Sequence, residues 1–426
     1  MAESIRNSLP PIYGHLFNAF FDRPKVVERR ATCERCAMCD HGEPSPVPME
    51  FFDPTTKCCT YWPMLPNYLV GAILADESPG LAEGKRRVRR AIERRIGVGP
   101  SFLDRPRKWS LIMTTYDEAF GRARSLKCPY YDDDNPVGSC SIWRHREGIC
   151  HTYYCRYSGG MRGYEYWTAL RSYLGVVQQI LAKSASKAVD PSVVEPELRR
   201  DRLSAEDIDD LPPKDSDYRA WWGSWVGREA EFYVKCHEWV KAASPADFAR
   251  NVDRSKEGQQ ALADLVAKYD ALEAKLLPKS LVKNPRMRED HAGDKVVVTS
   301  YHRFDPIAID KDLFEVVGLF EADQTLEQNL ERLKRDDGIE LAPELVEFLF
   351  AAGVLVDPAS PRARAKGEDA GERAGRRAAL RAVFEARDLV EDEVAKAAID
   401  AAGSAKLDLW IKKAVVASSV AEVLKE

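Results

Sequence analysis

The stretch CPYYDDDNPVGSCSIWRHREGICHTYYCR, residues 128–156, holds Cys128, Cys140, Cys150 and Cys155 among aromatic, Pro and Gly residues. Its apolar positions follow neither a period of 3.6 nor one of 2, so it reads as loops rather than as a helix or a strand. Such a segment needs something other than an apolar face to order it. Thiols at these intervals point to a bound metal.

Two further cysteine elements lie upstream. Cys33-Glu-Arg-Cys36-Ala-Met-Cys39 is a C-x2-C-x2-C run, and Lys57-Cys58-Cys59-Thr-Tyr-Trp62-Pro63 carries an adjacent pair. Nine of the ten cysteines therefore precede residue 156, and only Cys236 stands apart. Met1–Leu9 lacks the apolar run of a secretory signal, and no stretch approaches the length of a membrane span. These features lead to the expectation of a cytoplasmic protein. In a reducing compartment, clustered cysteines indicate metal or redox chemistry before lasting disulfides. Structural or regulatory disulfides and buried free thiols are the alternatives. Three thiols within seven residues are hard to pair with one another.

The metal ligands expected are Cys33, Cys36, Cys39, Cys58, Cys59, Cys128, Cys140, Cys150 and Cys155. A [4Fe-4S] cluster and an all-cysteine zinc site each take four thiolates, so nine candidates could fill two sites with one left over. Consecutive side chains diverge, so Cys58 and Cys59 serve two sites, or one of them does not ligate. The first run has the spacing of bacterial ferredoxins, where a remote Cys followed by Pro often completes the set. Cys128-Pro129 offers that partner. Glu43 stands where the fourth cysteine of the ferredoxin run would fall. His41, His145 and His151 lie near the cysteines, and a lone His there is more often a hydrogen-bonding neighbour than a ligand. The expected cofactor is iron–sulfur, [4Fe-4S], as one or two centres, with zinc as the alternative.

Cys128, Cys140, Ile142, Arg146, Cys150 and Cys155 also carry a resemblance. Over residues 30–175 the chain resembles the YkgJ-like cysteine-cluster family, described as zinc- or iron-chelating. That family's downstream motif runs C-P-x-L, then G-x-C-x-I-Y-x-x-R-P-x-x-C-R-x-F-x-C. Trp143, Glu147 and His151 replace its Tyr, Pro and Arg. Its upstream C-x-x-C-C is matched only by Cys58-Cys59, because Thr55 occupies the first position. The region is similar too to the cysteine region of flagellin lysine methylases, which carry an iron–sulfur cluster. The resemblance implies metal binding. It says little about a reaction.

The expected fold class is mainly α, with an irregular metal-stabilised N-terminal domain, a small α+β winged-helix-like module and a helical C-terminal domain. Residues 1–183 form the cysteine-cluster domain, with helices over Leu65–Leu74, Gly84–Ile96 and Tyr164–Ala182. A helical region spans 184–290, and its aromatic stripe of Trp221, Trp222, Trp225, Phe232, Tyr233 and Trp239 reads as core. The winged-helix-like module covers 291–358. It has a strand at Lys295–Tyr301, helices at Lys311–Phe320, Thr325–Arg335 and Ala342–Ala351, and a strand at Val354–Val356. Residues 359–378, rich in Ala, Gly and Arg, read as a linker. The C-terminal helical domain covers 379–426, where Leu407, Trp410, Ile411, Ala414 and Val415 would share one face.

The formal net charge of −5 argues against a dedicated nucleic-acid binder. One stretch departs from that balance: Lys85–Arg95 has seven basic residues in eleven. On a helix, Arg86, Arg87, Arg90 and Arg94 line one side, which makes either an anion-, phosphate- or RNA-binding surface or a solvated face. Asp132-Asp133-Asp134-Asn135 reads as a polar turn before a hard-cation site. No glycine-rich phosphate loop, G-x-S-x-G or H-E-x-x-H is present. The leading expectation is a metal-binding protein with a structural or electron-transfer role and a protein partner for its C-terminal half. A lysine N-methyltransferase carrying a structural cluster and a zinc-binding interaction protein are the alternatives. Metal storage or delivery would require exchangeable thiolates.

Overall fold

The computed structural model describes the chain except residues 1–2, 31, 43–46, 48–49, 135–137, 197–203, 365–369, 388, 403, 415–416, 418 and 426. Glu43, Asn135, Val415 and the middle of the predicted linker lie outside the described residues. The chain is mainly α, with short antiparallel sheets, and divides into two compact units, Met1–Leu276 and Leu277–Glu426. Among the described residues no helix is long and apolar enough to cross a membrane.

The first unit is built on α1 (Asn67–Ala75), α2 (Ala82–Glu93), α3 (Arg107–Thr115), α4 (Gly148–Thr152), α5 (Gly160–Val189), α6 (Asp215–Trp222), α7 (Glu229–Ala242) and α8 (Lys256–Ala274). Helix α1 is apolar on every side, as a fully enclosed helix must be, and each residue from Asn67 to Leu74 is buried. Its start is set by Pro66, which pairs with Phe102 while Leu65 pairs with Leu103, as strands β1 (Leu65–Pro66) and β2 (Phe102–Leu103). Asn67 is the polar exception. Its amide donates to the carbonyls of Pro100 and Ala182 at 3.0 and 2.9 Å, and its oxygen accepts from the Tyr68 N–H, so burial leaves no group unsatisfied. Helix α7 crosses α1 at Gly71, where any Cβ would collide with the Tyr233 carbonyl and the His237 side chain. Helix α5, about 45 Å long at 1.5 Å per residue, is the spine. Helix α8 lies along it through Tyr166 and Tyr269, whose rings meet edge to face at 5.5 Å.

The predicted boundary after residue 183 does not separate compact units, because the aromatic stripe packs back on the cysteine-bearing part. Trp222 is fully buried between Phe232 and Tyr233, and its indole N–H donates to the Val98 carbonyl. The Tyr233 hydroxyl donates to the Gly99 carbonyl at 2.8 Å. The stripe is core, as its spacing predicts, while Trp221 and Trp239 remain half-buried.

In the second unit, β6 (Arg288–Ala292), β7 (Lys295–Thr299) and β8 (Ile307–Asp310) form an antiparallel meander. Strand β5 (Val282–Lys283) pairs with β9 (Leu355–Val356). Pairing of β5 and β6 with later strands moves the boundary from residue 290 to Leu276. Val296, Val297 and Val298 of β7 are buried, and α9 (Lys311–Val317), α10 (Leu326–Arg332) and α11 (Pro343–Ala351) follow within the predicted spans. Thr325 and Gln328 cap α10 reciprocally. Helix α12 (Ala370–Ala386) begins inside the predicted linker, since its Ala, Arg and Glu content favours helix. With α13 (Glu393–Ala401), α14 (Ser404–Ala414) and α15 (Val420–Leu424) it encloses a cluster that includes Leu380, Phe384, Leu407, Trp410 and Ala414.

The Gly71 crossing yields a test. Gly71→Ala should destabilise the first unit by about 1–3 kcal/mol through overpacking, read as a lowered melting temperature. Gly80→Ala, with open space around its Cβ position, should leave melting unchanged.

Candidate metal centre

All ten cysteines are free, and hydrogen bonds join the three cysteine elements around buried side chains that include Met38, Phe52, Tyr130 and Ile142. In the first element the Cys39 N–H donates to the Cys36 carbonyl at 3.0 Å, forming a tight turn with both side chains buried. The same carbonyl is bound by His41 Nε2 at 2.9 Å. Cys33 is exposed, and its carbonyl accepts from Lys57 Nζ at 2.8 Å, which ties the first element to the second. Upstream, the buried carboxylate of Glu28 accepts from the Trp167 indole at 2.7 Å and from the Ser158 N–H, anchoring the approach to Cys33 on α5.

The second element hangs on Asp53. Its carboxylate accepts from the Thr55 N–H and hydroxyl and from Arg124, while its carbonyl accepts from the Thr56 and Lys57 N–H groups. The Thr55 hydroxyl, then Arg124, hold this carboxyl down to about 2. Lys57 completes the turn with φ +51. Thr60 then locks the exit: its buried hydroxyl accepts from the Gly121 N–H at 2.7 Å, and its carbonyl accepts from the Trp109 indole at 3.0 Å. Trp109, Ala119 and Leu126 form a small apolar cluster there, with Tyr61 and Trp62 packed on it.

The third element meets the second directly. The Cys128 N–H donates to the Cys59 carbonyl at 2.8 Å, across 69 residues of chain. After the Cys128 turn, β3 (Tyr131–Asp132) pairs with β4 (Ser139–Cys140), so that Tyr131 faces Cys140. Gly138, at φ +69, lies so close to the Tyr131 ring that no side chain fits. Glu147 caps α4 through the Ile149 N–H at 2.9 Å and places Cys150 one turn in, with its thiol 3.8 Å from the same carboxyl. Burial pushes Glu147 up to about 7, against the opposing hydrogen bonds from Ile149 and Tyr61.

The thiols fall into two neighbourhoods. In one, burial and then Cys36 raise Cys39 to about 12, Cys59 and then burial raise Cys58 well above the ordinary thiol range, and Cys155 is raised to about 12 by burial and then by Cys58 and Cys36. In the other, burial raises Cys150 well above the ordinary thiol range, with Glu147, Cys128 and Cys140 adding to it. Arg146 is stacked over the Trp143 ring, 3.4 Å from its centroid, and burial lowers its pKa against the opposing influence of Cys150 and Cys140. Among the described residues, no three His, Cys, Asp or Glu side chains form a ready-made ion site. The donor chemistry nevertheless suits a soft metal: sulfur predominates, and the nearby histidines are engaged elsewhere or charge-opposed. His145 binds Asp76 at 2.8 Å, and His151 Nδ1 accepts from Arg146 while its buried Nε2 has no partner. Asp132 and Asp133 form a polar turn, with Asp133 paired to Lys127.

Sequence reasoning missed Glu28, Thr60 and Trp109, whose roles arise from contacts across long separations. Glu147 had a signal, standing where the resembled family has Pro. No family model matches the chain, and neither does any curated protein or solved structure.

Thr60 tests the scaffold. Thr60→Val should leave the buried Gly121 N–H without its acceptor and cost about 1–3 kcal/mol. Faster limited proteolysis near residues 57–62 would accompany the lowered melting temperature.

Proposed function

We propose that the cysteine elements hold one or two thiolate-bound metal centres, of the [4Fe-4S] type ahead of zinc, with a structural or electron-transfer role. The observation that carries this reading is the joining of all three elements: Lys57 to Cys33, and Cys128 to Cys59. Ordering loops of this length costs conformational entropy, and shared ligation would offset it. Cys33, Cys36, Cys39, Cys58, Cys59 and Cys155 would supply one centre, and Cys128, Cys140 and Cys150 the other. An iron–sulfur cluster bound here would supply one-electron redox chemistry.

Kinship with the YkgJ-like family over residues 30–175 belongs to the same proposal, as does a cytoplasmic location that keeps thiolates reduced. The second unit is the partner-binding part in this reading. Its winged-helix-like character is supported by the meander, the three helices and the closing strand.

Full-length protein purified without oxygen tests the proposal. Expected are a broad visible absorption band, iron and acid-labile sulfide; stoichiometric zinc without colour would remove the iron–sulfur reading. Cys140→Ser and Cys150→Ser should each lose metal and lower the melting temperature. Cys236→Ser, in the helical core, should keep its metal. Protein free of any metal under these conditions would sink the proposal.

A further inference from the structure

Helix α2 and the Cys128 turn border an open cavity of about 290 Å³. One wall is the basic side of α2, with Arg86, Arg87, Arg90 and Arg94. The opposite face of the helix is buried through Val88 and Ile92, and Gly84 packs so closely on Ser141 that no side chain fits. The arginine row is thus held on a rigid support. Two of the four have protein duties. Arg87 donates to Glu83 and to the carbonyls of Pro129 and Tyr131, and Arg86 pairs with Glu83. Arg90 and Arg94 have no hydrogen bond or ion pair among the described residues. Asp104 is the acidic residue in the lining, and its carboxylate accepts from the Arg105 N–H.

The other walls are apolar and aromatic, chiefly Trp62, Leu103, Pro129 and Tyr130. The Tyr130 hydroxyl is buried with no hydrogen-bond partner. Guanidinium groups one helical turn apart suit an anion with several oxygens, and a ring-lined wall suits a planar apolar part. The volume is near the low end for small-molecule sites. A chain of net charge −5 does not attract polyanions in general, so a concave basic site favours a compact ligand over a long nucleic acid.

We propose that this cavity binds a small phosphorylated molecule of nucleoside monophosphate chemistry, with its phosphate on Arg90 and Arg94 and its ring against Trp62. The site takes Trp62, Pro129 and Tyr130 from the cysteine-bearing loops and its arginines from α2 and the turn that ends it.

Isothermal titration of the full chain with AMP, inorganic pyrophosphate and a single-stranded RNA oligonucleotide tests the proposal, with metal content measured separately on each sample. AMP should bind saturably. Arg90→Gln combined with Arg94→Gln should weaken it about tenfold or more, as expected for lost charge-assisted hydrogen bonds. Trp62→Leu should weaken AMP while sparing pyrophosphate. Arg89→Gln, on the same helix but outside the lining, should change AMP affinity less than twofold. Circular dichroism melts would verify that the exposed-arginine variants stay folded. Absence of saturable binding by both AMP and pyrophosphate would overturn the assignment. So would equal losses in the Arg89 variant, or RNA binding tighter than AMP binding with all arginine variants alike.

Discussion

Arg87 is the link on which the cysteine-bearing part of the molecule depends. From the half-buried side of α2 its guanidinium reaches the carbonyls of Pro129 and Tyr131 at 2.8 and 2.7 Å, on either side of Tyr130 and just beyond Cys128. Backbone carbonyls that no N–H reaches need other donors, and a planar guanidinium can satisfy two at once. The contact fixes the Cys128 turn to a helix that is itself seated on the Cys140 segment through Gly84. Cys128 then carries the Cys59 loop with it by a backbone hydrogen bond. A helical framework thereby positions thiols that no local periodicity could order.

The same framework explains why the molecule divides at Leu276 rather than after its cysteines. Helix α1 is apolar all round and can be buried only if other helices cover it on every side. Helices α5 and α7 do so, and α7 belongs to the sequence that follows the cysteines. Removing residues 184–276 would expose α1 and unseat Val98 and Gly99, which accept hydrogen bonds from Trp222 and Tyr233. The cysteine loops and the aromatic stripe are therefore one structural unit, with the loops on its surface and the stripe in its core.

Much of this was legible in the residues. The long apolar run after Pro66, the basic amphipathic helix, the aromatic stripe and the KVVVT strand are each dictated by local pattern, and each formed. The short strands β5 and β6 were not legible, because Val282-Lys283 and Arg288–Ala292 have no alternation and owe their pairing to partners elsewhere. The start of α12 was hidden by composition, since Ala and Arg are common to linkers and helices alike. At the candidate centre, spacing identified the thiols, but the residues that hold them were invisible. Thr60, Trp109 and Glu28 are ordinary side chains until folding brings Gly121, Ser158 and Trp167 to them.

The sequence by itself determined the concentration of nine cysteines before residue 156 and the helical character of most of what surrounds them. Covalent order and side-chain periodicity suffice for that. The tertiary structure decided which cysteine loops become neighbours and that the exposed basic face of α2 borders a cavity beside Cys128. Both outcomes depend on hydrogen bonds and packing between segments tens of residues apart, and such contacts leave no periodic trace along the chain.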